Sequence, residues 1–387
     1  MNSADSMRVS ARLEEFGFEP TATADEADVI VLNTCVVRKS AEDKAIGRLT
    51  SLKSLKQQNP TRVINLMGCL VGIQPEPELK KRFPFVDVFS PPSDPQPLMT
   101  YLQEHPLYSQ MKSRTAIERA LSMDGGYRLP ASLQGQSVSV FVPIVYGCSH
   151  ACSYCIIPIR RGRERSRPPE TILGEIRHLA EQGVREVTLL GQIVDRYGMD
   201  QAGMPTISEL LIKAAKVEGI ERIRFLTSHP LWMTDELLNA VASQPKLMPH
   251  FELPIQSGDN DVLRAMRRGY QVEQFLSLVE KIRASIHPVS IITDFIVGFP
   301  GESESQFENT LHLLRELKPD MVHIARYSPR AGTAAFENLK DDVPADEKMR
   351  RFREVETLQE NIASEINQQY LDTIVPVLFE KRHQQRW

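Results

Sequence analysis

The sequence lacks a long hydrophobic run, an export signal and a strong excess of charge of either sign. Nowhere in the 387 residues does an apolar run approach the ~18 residues that span a bilayer, and the first twenty residues hold no apolar signal core. The 46 Lys and Arg residues nearly balance the 50 Asp and Glu residues. These absences exclude a membrane-spanning helix and a generally basic nucleic-acid-coating protein, and they predict a soluble, cytoplasmic chain.

Cysteine is scarce as well, with five residues in the chain. An odd number of cysteines without an export signal argues against a disulfide framework and predicts a reducing compartment. Cys148, Cys152 and Cys155 fall within one short stretch, whereas Cys35 and Cys69 stand apart. Three cysteines at such close spacing indicate thiolate ligation of a metal.

The N-terminal part has the pattern of a parallel α/β sheet. Two continuous apolar runs, Asp28 to Asn33 and Arg62 to Met67, are typical of strands buried on both faces. An amphipathic helix is predicted between them, from Lys39 to Gln57. Cys35 and Cys69 then follow the carboxyl ends of neighbouring strands, which is where open α/β sheets bind ligands. We predict a small doubly wound domain that ends near residue 90.

A second β/α rhythm follows a turn-rich connector over residues 91–136. Apolar strand candidates alternate with helical stretches, and polar groups follow nearly every strand. The strands are predicted at residues 138–145, 187–190, 223–226, 251–255, 290–297 and 321–324. Six β/α units rather than eight indicate a partial, open barrel over residues 137–370. A last strand at Ile374–Phe379 is interpreted as the start of a further β-module over residues 371–387.

The cysteine cluster has the spacing C-x3-C-x2-C and lies on the loop after a predicted strand. Three thiolates this close together can ligate three irons of a cubane cluster and leave the fourth iron open to a cofactor. The alternative is a zinc site, but closed zinc sites need four ligands and usually show paired C-x2-C spacing. His150 lies inside the loop, where its geometry is wrong for a fourth ligand. The pattern therefore favours iron and sulfide over zinc.

The stretch GCSHACSYC (147–155) resembles the signature of the radical S-adenosylmethionine (SAM) enzymes. The resemblance implies a [4Fe–4S] cluster on Cys148, Cys152 and Cys155, with SAM bound to the open iron. One-electron reduction would then cleave SAM into methionine and a 5′-deoxyadenosyl radical, so that the cofactor performs the difficult step. Tyr154, the aromatic residue of the motif, would lie near the adenine of SAM.

Further motifs narrow this resemblance to the methylthiotransferases, which join an N-terminal cluster domain, a radical SAM barrel and an RNA-binding β-barrel called TRAM. The matching stretches are ADVIVLNTC (27–35), MGC (67–69), GCSHACSYCIIPIRRGRERSRP (147–168), LLGQ (189–192), SHP (228–230), LPIQSG (253–258), MRRGY (266–270), TDFIVGFPGE (293–302) and YSPRAGT (327–333). The forms NTC-x-VR, RGRERSRP and LLGQ resemble the MiaB-type branch. That resemblance implies transfer of a methylthio group to carbon 2 of N6-isopentenyladenosine at position 37 of tRNA, beside the anticodon.

Other readings of the chain stay open from the residues alone. The branch that modifies a ribosomal protein typically reads NTCGF at the first cysteine, and the threonylcarbamoyladenosine branch usually carries an LTG strand end. Neither pattern fits this sequence as well as the MiaB-type pattern. Two alternatives are not methylthiotransferases. One is a non-catalytic tRNA-binding regulator with one structural cluster, and the other is a zinc-stabilised binding module.

The family's auxiliary cluster uses three N-terminal cysteines, of which this chain supplies Cys35 and Cys69. Residues 1–6 (MNSADS) look like the tail of the motif that carries the third cysteine, so we interpret the sequence as truncated at both ends. The resemblance implies that the auxiliary cluster is the sulfur source. One SAM would methylate a cluster sulfide, and a second SAM would generate the radical that abstracts hydrogen from the substrate.

Several polar residues at strand ends are candidates for binding SAM. Glycines permit close approach of the backbone to a ligand, and polar side chains can hydrogen-bond its ribose or methionine. The candidates are Gly191, Gln192, Gln256, Ser257, Asp294 and Gly298, in addition to Tyr154. The sequence departs from the family pattern GQNVNSYG at Ile193 and Asp195, which places polar contacts there in doubt. His229 and His250 are interpreted as structural histidines.

An arginine-rich loop beside the cysteine cluster is the candidate RNA contact. It contains five arginines and one acid, Glu164, and guanidinium forks match phosphate geometry. The five are Arg160, Arg161, Arg163, Arg165 and Arg167. The predicted partners are a tRNA anticodon loop and a reducing electron donor such as flavodoxin or ferredoxin, with no membrane, and the chain is expected to be a monomer.

Overall fold

The computed structural model describes residues 1–74, 77–109 and 129–380. The chain divides into two compact units. The first unit comprises Met1–Ser149, Ile157–Val187 and Val217–Gly219. The second comprises His150–Ile156, Thr188–Lys216 and the described residues from Ile220 onward. The connector segment from 110 to 128 lies outside the described residues, and the predicted domain limits stay predictions.

A three-stranded parallel sheet organises the start of the first unit. Its strands are β1 (Val29–Thr34), β2 (Val63–Gly68) and β3 (Val88–Ser90), in the order β1-β2-β3. Thr34 pairs with Gly68 at the carboxyl end of the β1–β2 ladder. Cys35 and Cys69 follow these two residues directly, so the predicted strand ends and the position of both cysteines are confirmed.

Helices cover both faces of this sheet, because β2 alternates side chains between two hydrophobic cores. Val63 and Met67 belong to one core, which includes Phe16 and Leu98, while Ile64 and Leu66 belong to the other. The helices are α1 (Asn2–Phe16), α2 (Lys39–Gln58), α3 (Pro77–Arg82) and α4 (Gln96–Glu104). The doubly wound prediction is confirmed. Helix α1 was not predicted, because its polar first turn resembles a loop motif.

The rest of the first unit contains short elements around the cysteine loop. They are β4 (Ser139–Pro143), β5 (Val145–Tyr146), α5 (Ile157–Arg161), β6 (Arg165–Ser166) and α6 (Pro169–Glu181). Strands β5 and β6 pair antiparallel, with Val145 opposite Ser166. The single strand predicted at 138–145 is interrupted after Pro143, which has no N–H to donate to a ladder.

Alternating strands and helices continue into the second unit. The strands are β7 (Glu186–Leu190), β8 (Arg222–Leu226), β9 (His250–Glu252), β10 (Ser290–Val297) and β11 (Met321–Arg326). The helices are α7 (Ile207–Ala215), α8 (Asp235–Ser243), α9 (Asn260–Ala265), α10 (Val272–Ser285), α11 (Glu304–Leu317), α12 (Ala334–Asn338) and α13 (Ala345–Gln368). Sheet orders are β4-β7-β8 and β11-β10-β9, and both pairings of β10 are parallel.

The predicted strand positions are confirmed with one interruption (138–145), one shortening and one error. Residues 251–255 form a strand only through Glu252, because Pro254 breaks the ladder before the isolated bridge between Gln256 and Phe295 resumes it. The prediction of a strand at Ile374–Phe379 is wrong: this segment has no regular structure, and Ile374 is fully exposed. No neighbouring strand in the described chain supplies hydrogen bonds to it.

The sheets do not close into a barrel within the described residues, as the count of six units predicted. In the part of the chain that the structure describes, no helix is both long enough and apolar enough to cross a membrane.

Candidate iron–sulfur centres and cofactor site

The two N-terminal cysteines are held at one edge of the first sheet. Thr34 is the last residue of β1 and pairs with Gly68 of β2. Its carbonyl accepts the Cys69 N–H at 3.0 Å, which fixes the backbone where the two cysteines follow. Gly68 has a φ of +100°, and a Cβ there would lie 2.5 Å from the Thr34 carbonyl oxygen. Both thiols are free, with Cys69 buried and Cys35 half-buried. The close approach of the Thr34 carbonyl therefore requires a glycine at position 68.

Arg161 lies against Cys69, which sequence reasoning missed. Its Nε donates to the Cys69 Sγ at 3.2 Å, and its two terminal nitrogens donate to Ser93 Oγ at 3.2 Å and Asn2 Oδ1 at 2.9 Å. The Arg161 side chain is 5% exposed. The guanidinium is hydrogen-bonded to these partners inside the first unit, which counts against the prediction that Arg161 contacts RNA.

Asp5 completes the polar surroundings of Cys69. Its side chain is 1% exposed in the core of the first unit, and one carboxylate oxygen lies 3.7 Å from Arg161. Burial raises the pKa of Asp5, while Arg161 opposes the rise. Burial also raises the pKa of the Cys69 thiol, and the same guanidinium opposes that rise. Two thiols can ligate two irons of an iron–sulfur cluster, and the guanidinium can donate a hydrogen bond to one of the ligating sulfurs.

The cysteine loop starts at Gly147, where the backbone conformation and a close backbone neighbour exclude any side chain. Gly147 has a φ of +70°, and a Cβ there would lie 2.1 Å from the carbonyl oxygen of Arg163. The Cys148 N–H then donates to the Gly162 carbonyl at 3.0 Å. Both contacts lie within the first unit, and they set the direction in which the chain enters the loop.

The far side of the loop is anchored within the second unit. The Ser153 hydroxyl donates to the Ala265 carbonyl at 2.7 Å, and the Ser153 N–H donates to the Met266 carbonyl at 3.0 Å. The Ala335 N–H donates to the Ser153 carbonyl at 2.7 Å. Cys152 and Cys155 flank this anchored serine. None of the three cysteines of the loop is in a disulfide, as ligation of a cluster requires.

Arg268 is a second guanidinium that contacts a cysteine sulfur. Its Nη1 donates to the Cys152 Sγ at 3.3 Å, and its Nη2 donates to the Pro254 carbonyl at 2.7 Å. The hydroxyl of Tyr270 accepts from Arg268 Nε at 3.0 Å, and burial raises the Tyr270 pKa to about 12. A buried cation beside the sulfur stabilises a thiolate, so the loop fits the charge of a ligated cluster. The motif MRRGY (266–270) does not by itself reveal this contact, because Arg268 and Cys152 are far apart in the sequence.

Most of the predicted SAM-binding residues stand at strand ends of the second unit. Gly191 is buried directly after β7, and Gln192 is half-buried. Gln256 is buried and has a φ of +84°, while the Ser257 hydroxyl accepts the Asp259 N–H at 3.2 Å. These four positions stay candidates. Asp294, also predicted at a strand end, lies inside β10 and is half-buried.

Two further candidates have contacts of their own. Tyr154 packs against the core around Met266 and Phe299, and burial raises its pKa. The Gly298 N–H donates to Glu302 at 2.6 Å, and a Cβ on Gly298 would lie 2.3 Å from the Lys348 side chain. Packing against Lys348 therefore explains the glycine at 298, which weakens the prediction that it exists for close approach to a ligand.

Asp195, where the family pattern has asparagine, is buried against the SHP loop. One of its oxygens accepts the His229 N–H at 2.9 Å, and burial raises the Asp195 pKa to about 7. His229 is buried among Trp232 and Tyr270, and burial lowers its pKa to about 2. A neutral histidine inside an aromatic cluster agrees with the interpretation of His229 as structural.

The arginine-rich loop divides into buried and exposed members. Arg167 donates to Glu175 at 2.6 Å and to the Pro143 carbonyl at 2.5 Å, and its side chain is 8% exposed. The burial of its guanidinium counts against the prediction that Arg167 contacts RNA. Arg163 and Arg165 are exposed and Arg160 is half-buried. These three remain the candidate RNA contacts.

Comparison with known proteins gives matches along the whole chain. A family model described as the radical SAM superfamily matches residues 142–314, and one described as uncharacterized protein family UPF0004 matches residues 1–90. The tRNA-2-methylthio-N(6)-dimethylallyladenosine synthases of Roseiflexus sp. (strain RS-1) and Herpetosiphon aurantiacus are each 43% identical over 390 residues. The match covers 100% of this chain and 79% and 86% of those two proteins. This chain belongs to the tRNA-2-methylthio-N(6)-dimethylallyladenosine synthase family.

Solved structures agree with this family at the level of the fold. The radical SAM methyltransferase TsrM from Kitasatospora setae, with cobalamin and a [4Fe-4S] cluster bound, aligns with a TM-score of 0.61 over 86% of this chain and 73% of its own. The radical SAM enzyme OxsB aligns with a TM-score of 0.51 over 92% and 54%. Both are 12% identical to this chain, so the likeness is one of fold.

Membership in the synthase family confirms the predicted cofactors, which are SAM and [4Fe–4S] clusters. The cysteine loop fits the radical SAM cluster. Cys35 and Cys69 supply two of the three thiols that the auxiliary cluster takes in the family, and Arg161 donates a hydrogen bond to the Cys69 sulfur.

Proposed function

We propose that this chain is a radical SAM methylthiotransferase that converts N6-isopentenyladenosine at position 37 of tRNA into its 2-methylthio derivative. The observation that carries the proposal is the full-length match at 43% identity to curated synthases of that name. These relatives favour the isopentenyladenosine substrate over a ribosomal protein or threonylcarbamoyladenosine. They also favour an enzyme over a non-catalytic regulator.

Each cysteine group has one role in this proposal. Bound SAM and the clusters supply a carbon-centred radical and a methylated sulfur when they are present. Cys148, Cys152 and Cys155 hold the radical SAM cluster, and Arg268 stabilises the Cys152 thiolate through its 3.3 Å contact. Cys35 and Cys69 hold the auxiliary cluster, from which the sulfur of the product comes.

The strand-end residues of the second unit bind the cofactor in this proposal. Gly191, Gln192, Gln256 and Ser257 offer backbone and side-chain groups to the ribose and methionine of SAM. Tyr154, on the cysteine loop, packs its ring against the adenine in this proposal. Their shared position after parallel strands supports the assignment, since α/β folds bind ligands at that edge.

RNA binding in this proposal uses the exposed arginines Arg160, Arg163 and Arg165. They contact phosphates of the anticodon loop, and the target base leaves the stack to enter the site. A low-potential donor such as flavodoxin or ferredoxin reduces the radical cluster. The reaction takes place in the cytoplasm, where tRNA and the donor are found, and we propose that one chain acts as a monomer.

The deciding experiment uses the anaerobically reconstituted chain with SAM, dithionite and an anticodon stem-loop that contains N6-isopentenyladenosine. Mass spectrometry should find the 2-methylthio nucleoside together with 5′-deoxyadenosine. Cys152→Ala should lose about four irons per chain and abolish both products, because the radical cluster is gone. Cys69→Ala should keep 5′-deoxyadenosine and lose the methylthio nucleoside.

Two outcomes would contradict the proposal. If 5′-deoxyadenosine forms but no methylthio nucleoside appears with any stem-loop, the chain is a radical SAM protein of another specificity. If Cys152→Ala and Cys69→Ala retain the iron of the unsubstituted chain, the cysteines hold no cluster and a binding role would replace catalysis.

A further inference from the structure

The sheet β9–β10–β11 in the second unit has one face that is left open. Along β10, every second residue is half-buried while the residues between them are buried under the helices. Ser290, Ile292, Asp294 and Ile296 are the half-buried set, so their side chains share one face. We call this face, together with the paired residues of β9 and β11, the open face.

Three ionisable side chains meet on the open face. Asp294 pairs with His323 across the β10–β11 ladder, and Glu252 pairs with Ile292 on the other side. One ligand-type atom from each of Glu252, Asp294 and His323 lies within 4.8 Å of the other two. His323 is exposed and both acids are half-buried, so a bound molecule can reach all three.

The polar trio has apolar neighbours on the same face. The pair below Asp294–His323 is Ile292 with Met321, and the pair above is Ile296 with Ala325. Met321 is 48% exposed and lies beside the half-buried Ile292. The open face therefore presents a polar centre between two apolar rows.

The open face adjoins the residues that hold the cysteine loop. Ile296 and Tyr154 pack against the same core, which contains Met266 and Phe299. The Asp294 carboxylate is close enough to Tyr270 to contribute to the raised pKa of its hydroxyl. Tyr270 in turn contacts Arg268, the donor to Cys152. A molecule bound on the open face would lie beside the radical-generating part of the second unit.

We propose that the open face is the binding site for the substrate base, with Glu252, Asp294 and His323 hydrogen-bonding the N6-alkylated adenine and the flanking apolar rows holding its alkyl group. This inference rests on the proposed function and deepens it by naming the residues that distinguish the alkylated base.

The chemistry of the base matches the face. An N6-alkylated adenine has one N–H donor at N6, ring nitrogens that accept hydrogen bonds, and a branched five-carbon group. A carboxylate of the trio accepts the N6–H, and the His323 ring donates to a ring nitrogen. The Thr227 N–H donates to Glu252 at 3.1 Å, which leaves that carboxylate with one oriented oxygen for the ligand. The Ile292–Met321 row covers the alkyl group.

A divalent cation is the alternative occupant of two carboxylates and an imidazole. The apolar rows on both sides of the trio favour an amphipathic organic ligand, because such a ligand has an apolar part that can bury them and a cation has none.

The test compares two anaerobic measurements on the reconstituted chain. Fluorescence anisotropy gives the Kd for stem-loops that carry N6-isopentenyladenosine or plain adenosine at the target position. Mass spectrometry gives the methylthio product formed per 5′-deoxyadenosine. His323→Phe keeps the ring volume and removes the donor, so the Kd for the alkylated stem-loop should rise about tenfold. The product per 5′-deoxyadenosine should fall, while SAM cleavage persists.

A second substitution separates the apolar rows from the polar trio. Met321→Ser should reduce the preference for the alkylated over the plain stem-loop severalfold and leave the Kd for the plain stem-loop unchanged. The matched controls are His312→Phe and Met199→Ser, which change exposed residues of the same types elsewhere in the second unit. Both controls should behave like the unsubstituted chain.

Three outcomes would overturn the inference. First, His323→Phe and Met321→Ser could match their controls in both Kd values and in the methylthio product formed per 5′-deoxyadenosine. That result would mean that the base does not bind on the open face. One Mn²⁺ or Zn²⁺ per chain beyond the iron, lost in His323→Phe, would assign the trio to a cation. Equal Kd values of the unsubstituted chain for the two stem-loops would mean that it does not distinguish the alkylated base from plain adenosine when it binds. Failure of the proposed function is separate, since it shows as absence of product while the Kd values remain measurable.

Discussion

At the scale of single residues, Arg161 shows how burial changes the meaning of a charged side chain. The sequence places it in an arginine-rich loop, where a phosphate contact is the natural interpretation. In the fold its guanidinium is buried and donates to the Cys69 sulfur, to Ser93 and to Asn2. A hydrogen bond from a cation to a ligating sulfur stabilises the cluster that the sulfur holds.

Arg161→Gln should lower iron retention at the Cys35–Cys69 site by about tenfold, because groups that contact metal ligands usually contribute that much. The measurement is iron and sulfide per chain after gel filtration, in a background where Cys148, Cys152 and Cys155 are alanine. The control is Arg165→Gln, which removes an exposed guanidinium from the same loop. Equal iron in the two variants would show that Arg161 does not support the cluster.

Asp195 gives a prediction about pH. Its folded-state pKa is raised to about 7, so the native chain keeps a proton that the unfolded chain releases above about pH 4. This group therefore contributes stability that is fully present below pH 4 and is lost as the pH rises to 7. Asparagine cannot ionise, so the free energy of unfolding of Asp195→Asn should not show this loss. Relative to the unsubstituted chain, it should rise by about 2 kcal/mol between about pH 5.5 and about pH 7.

Urea unfolding at a series of pH values measures this difference. Asp372→Asn, at an exposed position, serves as the control and should show no pH-dependent gain. A difference between Asp195→Asn and the unsubstituted chain that stays constant over this pH range would mean that Asp195 is ionised in the native state.

At the scale of elements, the helices and strands follow from the periodicity of the sequence, whereas the turns between them depend on tertiary contacts. The apolar periodicity predicts helices at Ile207–Ala215, Val272–Ser285 and Glu304–Leu317, and the structure has helices with these bounds. Their caps are local, as in the capping box of Thr206 and Glu209. Gly147, in contrast, is needed because the chain of Arg163 passes close to it.

Gly147→Ala should destabilise the first unit by more than about 2 kcal/mol, since it combines a left-handed backbone with a backbone collision. Gly135 is the matched control. It also has a positive φ, of +72°, but a Cβ there meets nothing within 4 Å. Gly135→Ala should cost about 1 kcal/mol.

Urea unfolding of both variants, with iron content as a second readout, measures the effect. Gly147→Ala should also lower the iron held by the cysteine loop that it precedes. Equal destabilisation by the two substitutions would mean that the close approach of Arg163 carries no energetic weight.

At the scale of the whole molecule, a chain with a net charge of −4 has to bind RNA through a local patch. Two of the five arginines in the predicted patch are buried, which leaves Arg160, Arg163 and Arg165. A smaller patch releases fewer counterions when RNA binds, so the salt dependence of binding reports its size.

The double variant Arg163→Gln with Arg165→Gln should reduce the slope of log K against log salt by roughly 1.5 to 2 for a stem-loop. Anisotropy titrations between 50 mM and 200 mM salt, roughly the range where such slopes are measured, provide the test. Arg48→Gln with Lys53→Gln removes two exposed cations from α2 and should leave the slope unchanged. An unchanged slope in the first double variant would place the RNA elsewhere.

The sequence by itself determined the alternation of strands and helices, the two cysteine groups and the strand ends at which they stand. These features depend on periodicity and on spacing along the chain, which are local. It also placed Asp294 among the ligand-binding candidates.

Tertiary structure decided which charged groups are buried and which residues distant in sequence share a face. Arg161 lies next to Cys69, Arg268 next to Cys152, and His323 beside Asp294 and Glu252 because strand register and helix packing bring them together. The tail at Ile374–Phe379 is the opposite case. Its apolar pattern predicts a strand, but a strand requires a neighbour to accept its backbone hydrogen bonds, and the described chain places none beside it.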